Sequence, residues 1–103
     1  MEPPVLRRWS HAERPADAAL EAVFRAEGLV PSWWVTPGAT AFPQHVHEAA
    51  KLLFVASGSI TFVVGAGERL EMRPGDRLDL PAGFPHSALA GPGGVRCVEA
   101  FRA

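Results

Sequence analysis

The residues with the clearest capacity for chemistry are three histidines. His45 and His47 stand one residue apart, so in an extended segment both imidazoles project from the same face and can grip one ion. His86 follows about forty residues later, just past Leu80-Pro81-Ala82-Gly83-Phe84-Pro85, a turn that would start a new strand. Three neutral imidazoles on rigid strands leave coordination positions open, which suits zinc, iron, manganese, nickel or copper at a catalytic or ligand-binding centre. Lys51 shares the parity of 45 and 47 and would fall on the same inward face if the extended register continues to it. Its ammonium has no lone pair and repels a divalent ion. A monovalent pair at about 4 Å and an effective dielectric of about 20 already interacts by roughly 4 kcal/mol, and a divalent ion doubles that.

Three readings of this constellation are open. In the first, His45, His47 and His86 bind a divalent metal while Lys51 leans onto an acidic partner, Glu48, Asp79 or Glu99. In the second, no metal binds and the cavity holds an anionic small molecule between Lys51 and the imidazoles, a non-catalytic binding or sensing module. In the third, the histidines and Lys51 form a satisfied buried network with a structural role only. Lys51 is the single lysine among ten basic residues. A buried lysine is also a candidate nucleophile or general base, and no other residue stands out as catalytic. Phe42 and Phe84 lie near the histidines and are candidate pocket residues. Glu48 should face away from His47, and His11 has no assigned role.

The elements that must position these residues change character along the chain. From Pro15 to Glu27, Leu20, Val23 and Phe24 recur at helical spacing, with Gly28 just past the end, so one short amphipathic helix is predicted. After Gly28 come short runs rich in Val, Phe, Ile, Thr and Leu, cut by Pro and Gly pairs. The predicted strands are Ser32–Thr36, Ala39–His47, Lys51–Ala56, Ser59–Val64, Arg69–Met72, Asp76–Leu80, His86–Leu89 and Val95–Phe101. Strands at this spacing build an all-β sandwich or barrel rather than a parallel sheet. Residues 1–31 are therefore read as an arm and helix packing on a barrel of residues 32–103, one structural domain. Trp33 and Trp34 are adjacent, so one should face inward and one outward.

Composition narrows the function classes. A chain of 103 residues with 48% hydrophobic content supports one core. Ten basic residues against eleven acidic ones build no basic stripe, so nucleic acid is not an expected partner. No apolar run approaches the roughly 18–20 residues that span a bilayer, and Met1 to Ser10 lacks the apolar core of a signal peptide. A soluble, cytoplasmic protein without membrane contact is expected. Cys97 is the only cysteine, which leaves no internal disulfide or thiolate cluster and reads as an inert buried thiol.

The stretch from Gly38 through His45 and His47 to Gly58 resembles the first motif of the cupin family, and Gly75, Pro81, Gly83 and His86 resemble the second. The intervals Gly75 to Pro81, Pro81 to Gly83 and Gly83 to His86 match the second motif without adjustment, and the likeness runs from about Trp33 to Glu99. It implies a small single-domain bacterial cupin of the RmlC-like kind: a jelly-roll, or double-stranded β-helix, barrel with one short N-terminal α-helix. It further implies a divalent metal on the three histidines, a small organic ligand or substrate, and chemistry such as oxygen-dependent oxidation or isomerisation. Small members resemble homodimers, for which the helix's apolar face and Trp33-Trp34 would supply the surface. The sequence departs from the family where Gly38 stands one residue further from His45, where Ala90 replaces a frequent Asn, and where Lys51 occupies the place of the family's glutamate ligand.

Overall fold

The computed structural model describes residues 2–102. Its elements in chain order are β1 (Val5–Arg7), α1 (Asp17–Ala26), β2 (Ser32–Thr36), β3 (Ala41–His45), β4 (Lys51–Val64), β5 (Glu68–Met72), β6 (Arg77–Leu80) and β7 (His86–Phe101). All strand pairings are antiparallel. The architecture is the expected all-β jelly-roll barrel with a single helix.

Two long strands organise it. The first halves of β4 and the second halves of β7 lie side by side in a sheet ordered β1-β6-β4-β7-β2, while the remaining halves continue into a second layer where β5 pairs with β4 and β3 pairs with β7. The turns predicted at Ser57-Gly58 and at Gly91-Pro92-Gly93-Gly94 are thus bends inside continuous strands. Both coincide with register shifts in the β4–β7 ladder, between Val55 and Ser57 and between Gly58 and Ile60. Strands that cross from one sheet to another do so at bulges of this kind. Gly58 has φ +76°, and a Cβ there would stand 2.1 Å from the Gly94 carbonyl oxygen, so the corner requires glycine.

The corner also switches the parity of the inward face. Leu53 and Val55 point inward before it, Ile60, Phe62 and Val64 after it, and together with Met72, Leu78, Leu80, Ala88, Ala90, Val95 and Cys97 they form the interior cluster. The alternate residues of the same strands, Leu52, Phe54, Ala56, Val98 and Ala100, face out and are covered by Leu20 and Phe24 of α1. Each such fully buried Leu or Phe contributes about 1.5–3 kcal/mol. The helix ends two residues inside its predicted limits at the start and one at the end, and Leu29 N–H returns to the Phe24 carbonyl at 2.9 Å to close it. Its apolar face and Trp33 pack against the outer side of β4 and β7. Trp33 is further engaged by its Nε1–H to Glu21 at 2.8 Å and by the Arg96 guanidinium 4.1 Å above its ring.

The arm before the helix adds β1, an element absent from the sequence reading, which pairs with β6 from Val5↔Asp79 to Arg7↔Arg77. Asp76 secures the chain that follows, accepting from Trp9 N–H at 2.9 Å, Arg73 N–H at 3.0 Å and Arg8 Nη1 at 2.8 Å. Three charge-assisted or backbone bonds explain how a 3% exposed carboxylate is retained there rather than in the strand proper. No helix of the described residues is long and apolar enough to cross a membrane.

Candidate metal centre

The three histidines meet at one end of the barrel interior. His45 closes β3 and His86 opens β7, and the β3–β7 ladder places them directly opposite one another. The register shifts between Phe42 and His45, where Pro43 lacks an N–H to donate. β3 stops at His45 rather than running on to His47 as predicted. His47 is instead held from the second motif's turn, whose Gly83 N–H donates to the His47 carbonyl at 2.8 Å. The ring centroids of His45 and His86 are 4.2 Å apart, those of His45 and His47 4.7 Å, and those of His47 and His86 5.1 Å. One nitrogen from each lies within 4.8 Å of the others.

Backbone carbonyls set the tautomers. His45 Nδ1 sits 2.8 Å from the Pro43 oxygen and His86 Nδ1 sits 2.9 Å from the Phe84 oxygen. A carbonyl only accepts, so both rings carry the proton on Nδ1 and present the Nε2 lone pair inward. His86 is 1% exposed, and its Nε2 is the one buried side-chain nitrogen or oxygen among the described residues with no partner. The Nε2 atoms of His45 and His47 are 3.0 Å apart, so with His45 protonated on Nδ1 its Nε2 accepts from His47 Nε2–H, and a cation between the two nitrogens would take the place of that proton.

The electrostatics favour the neutral forms of His47 and His86. Burial lowers the His47 pKa below its ordinary value, and the charges of Lys51 and His45 lower it further against the raising effect of Glu99. Burial also lowers that of His86; the Phe84 carbonyl opposes this, and His45, Lys51 and His47 add to it. Neutral imidazole is the ligating form. The donor set fits a divalent transition metal: three convergent neutral nitrogens, two of them oriented by carbonyls as metal-bound histidines are.

Lys51 opens β4 and lies inward as expected, with its side chain 9% exposed, although the chain between His47 and Lys51 bends and carries no strand parity across. Of its three candidate partners the structure selects Glu99, whose Oε1 lies 3.4 Å from Nζ and accepts Trp34 Nε1–H at 2.9 Å. Asp79 is committed to Arg77 and Arg102, and Glu48 is exposed. A cavity of about 260 Å³ opens beside the histidines, with Lys51 and Glu99 in its lining and Trp34, Phe42, Ile60, Phe62 and Ala88 as its apolar wall.

Phe42 therefore lines the cavity, and Phe84 does not. Its ring lies toward the Gly65 turn, 3.7 Å from where a Cβ on that glycine would stand, and its contribution to the site is the carbonyl that orients His86. Sequence reasoning weighed a ligand-stacking role for Trp33 and Trp34 but favoured core and interface packing, and it weighed Glu99 only as an ion-pair partner. The missing signal was the register Trp34↔Cys97, which puts the indole on the interior face that Cys97 and Glu99 share. Cys97 is buried, and burial, aided by the Glu99 charge, pushes its thiol up to about 12.

A jelly-roll barrel with three inward histidines from two paired motifs defines a recognisable class of protein. Residues 33–100 match the model of the cupin domain family, Cupin_2, and the chain belongs to that family. No curated protein matches it. Among solved structures it is similar to a DUF861 family protein from Thermotoga maritima, with TM-score 0.67 and 14% identity, covering 97% of this chain and 100% of that one. The DMSP lyase DddQ from Ruegeria pomeroyi gives TM-score 0.66 and 23% identity over 73% of this chain and 38% of that chain. Bacillus subtilis oxalate decarboxylase, described with Mn(II) centres, gives 0.64 and 22% over 71% and 20%. The chain thus spans about two fifths of the length of the lyase and one fifth of the decarboxylase, and these likenesses establish the fold.

Proposed function

We propose that the chain is a metal-binding cupin whose His45, His47 and His86 hold one divalent cation and whose cavity receives a small organic molecule. The observation that carries this reading is the buried, partnerless Nε2 of His86 in a cluster where one nitrogen from each of the three histidines lies within 4.8 Å of the others. Leaving a buried polar atom unmet costs about 1–3 kcal/mol. A satisfied structural network would not leave it so, and a metal-free anion beside Lys51 would face the lone pairs of His45 and His86.

When bound, a cation here would supply Lewis-acid polarisation and open positions for substrate and O2, the basis of oxidation or isomerisation chemistry. The chain's own residues do the remaining work. The carbonyls of Pro43 and Phe84 keep the Nε2 lone pairs on His45 and His86 pointed inward. Glu99 offsets the Lys51 charge that would otherwise repel the cation. Trp34, Phe42 and Phe62 keep the wall dry, so charges inside act with less screening.

Elemental analysis of the purified protein tests the reading. About one divalent transition metal per chain is expected, and none in a His45→Ala, His47→Ala double variant. Metal absent from both proteins, including after incubation with Zn, Fe(II) or Mn(II), overturns it.

A further inference from the structure

The Lys51–Glu99 pair leaves binding capacity unused. An ammonium offers three donors, yet among the described residues Lys51 Nζ makes one hydrogen bond, at 3.4 Å, to Glu99 Oε1. That oxygen is shared with Trp34 Nε1–H, which holds it at the shorter 2.9 Å. Lys51 is 8% exposed and lines the same cavity as the histidines, so its remaining N–H groups have that cavity to donate into. Phe101 also stands beside the ammonium, its ring centroid 5.6 Å from Nζ.

We propose that the cavity's ligand is a small organic carboxylate, with its anionic end between the three-histidine centre and the Lys51 ammonium and its apolar part against Trp34 and Phe42. The assignment rests on the metal reading for part of its charge. Glu99 offsets the Lys51 charge, so a divalent cation would leave the cavity with an uncompensated double positive charge against a largely apolar wall. An anion is the species that such a site recruits. A carboxylate can meet an open metal position through one oxygen and accept from Lys51 through the other.

Size and lining restrict the class further. The cavity of about 260 Å³ is below the roughly 300–1,000 Å³ of sites for drug-sized ligands, which points to an acid of about three to six carbons. Trp34 and Phe42 meet edge to face with centroids 6.0 Å apart and form a wall that offers an inorganic oxyanion no hydrogen bonds. A carboxylate with a short alkyl or alkenyl body uses both ends of the cavity; phosphate uses one. The lysine that stands in place of the family's glutamate ligand thus becomes the residue that selects the substrate's charge.

Calorimetric titration of the Zn(II)-loaded protein with butyrate, its neutral isostere butyramide and inorganic phosphate tests this. Butyrate should bind at least about tenfold more tightly than butyramide, the effect of one charge-assisted hydrogen bond and a favourable field, and more tightly than phosphate. The charge-conserving double variant Lys51→Met, Glu99→Gln should lose the preference for butyrate while keeping its metal. Lys51→Gln serves the same purpose if the double variant does not fold, with circular dichroism as the check. Equal binding of butyrate and butyramide, tighter binding of phosphate, or a preference that survives both variants overturns the proposal. Metal content measured on the same samples separates the two readings. A Lys51-dependent butyrate preference in a protein that takes up no metal would remove the metal centre and keep the carboxylate, whereas bound metal with no preference would do the reverse.

Discussion

The two faces of β4 and β7 are built from alternate residues of the same strands, and they are finished in opposite ways. Outside, Leu52, Phe54, Val98 and Ala100 are sealed by Leu20 and Phe24 of α1 into an apolar cluster, with the Phe24 and Phe54 rings packed edge to face at 5.7 Å. Inside, the same strands carry Lys51, His86 and Glu99 around a cavity, with a buried nitrogen left unmet. The outer face spends its residues on stability and the inner end withholds some packing for a ligand. A period of two along a strand is what lets both be written in one stretch of chain.

The contrast can be broken most strongly from the outside. Phe24→Ala empties a fully buried site and should destabilise the fold by about 3–5 kcal/mol in urea titration, while the metal bound per folded molecule is unchanged. A matching loss of metal affinity would show that the two faces are not independent.

His86→Leu is the complementary change. Removing a ligand should weaken metal binding by more than the roughly 10–100-fold known for outer-shell partners, whereas the metal-free stability should fall by only about 1–3 kcal/mol, since the volumes are close, the lost Nε2 had no partner and the cost is that of the Nδ1–H bond to the Phe84 carbonyl. A large stability loss without change in metal affinity would recast His86 as a core residue.

The pH dependence of the metal-free protein sharpens the same point. His47 and His86 have folded pKa values below the ordinary 6.5, so the unfolded chain binds more protons on acidification. Their contribution to stability is therefore complete above pH 6.5 and is lost as pH falls from there through the lowered folded values. Chemical denaturation across this range should show stability falling toward acid, with a shallower slope in His86→Leu; an unchanged slope would separate the titration from the site.

The smallest effect is on Cys97, deep in the interior cluster, where the thiol is pushed up to about 12. The thiolate is the reactive form, so a thiol reagent at pH 8 should label the native protein only at the rate of its unfolding. Rapid labelling would mean that the cavity extends past Glu99.

Much of this molecule is written in local pattern. The His45-x-His47 pair, the Gly75 to His86 spacing and the strand grammar of Val, Ile, Phe and Gly identify the barrel and its histidine centre, because turns and alternation are properties of neighbouring residues. The inward placement of Lys51 followed from the family resemblance, since the bent segment 46–50 interrupts the local alternation. What lay beyond reach depends on register across strands: that Ser57-Gly58 and Gly91–Gly94 bend rather than end their strands, that Val5–Arg7 adds an edge to β6, and that Phe84 turns its ring away and lends only a carbonyl. The choice of Glu99 over Asp79 and Glu48 as the partner of Lys51 belongs with these. The sequence by itself determined which side chains could bind and on which face each would stand. Only the tertiary structure decided which of them meet, because contacts between β2, β4 and β7 are set by long-range pairing that no local period encodes.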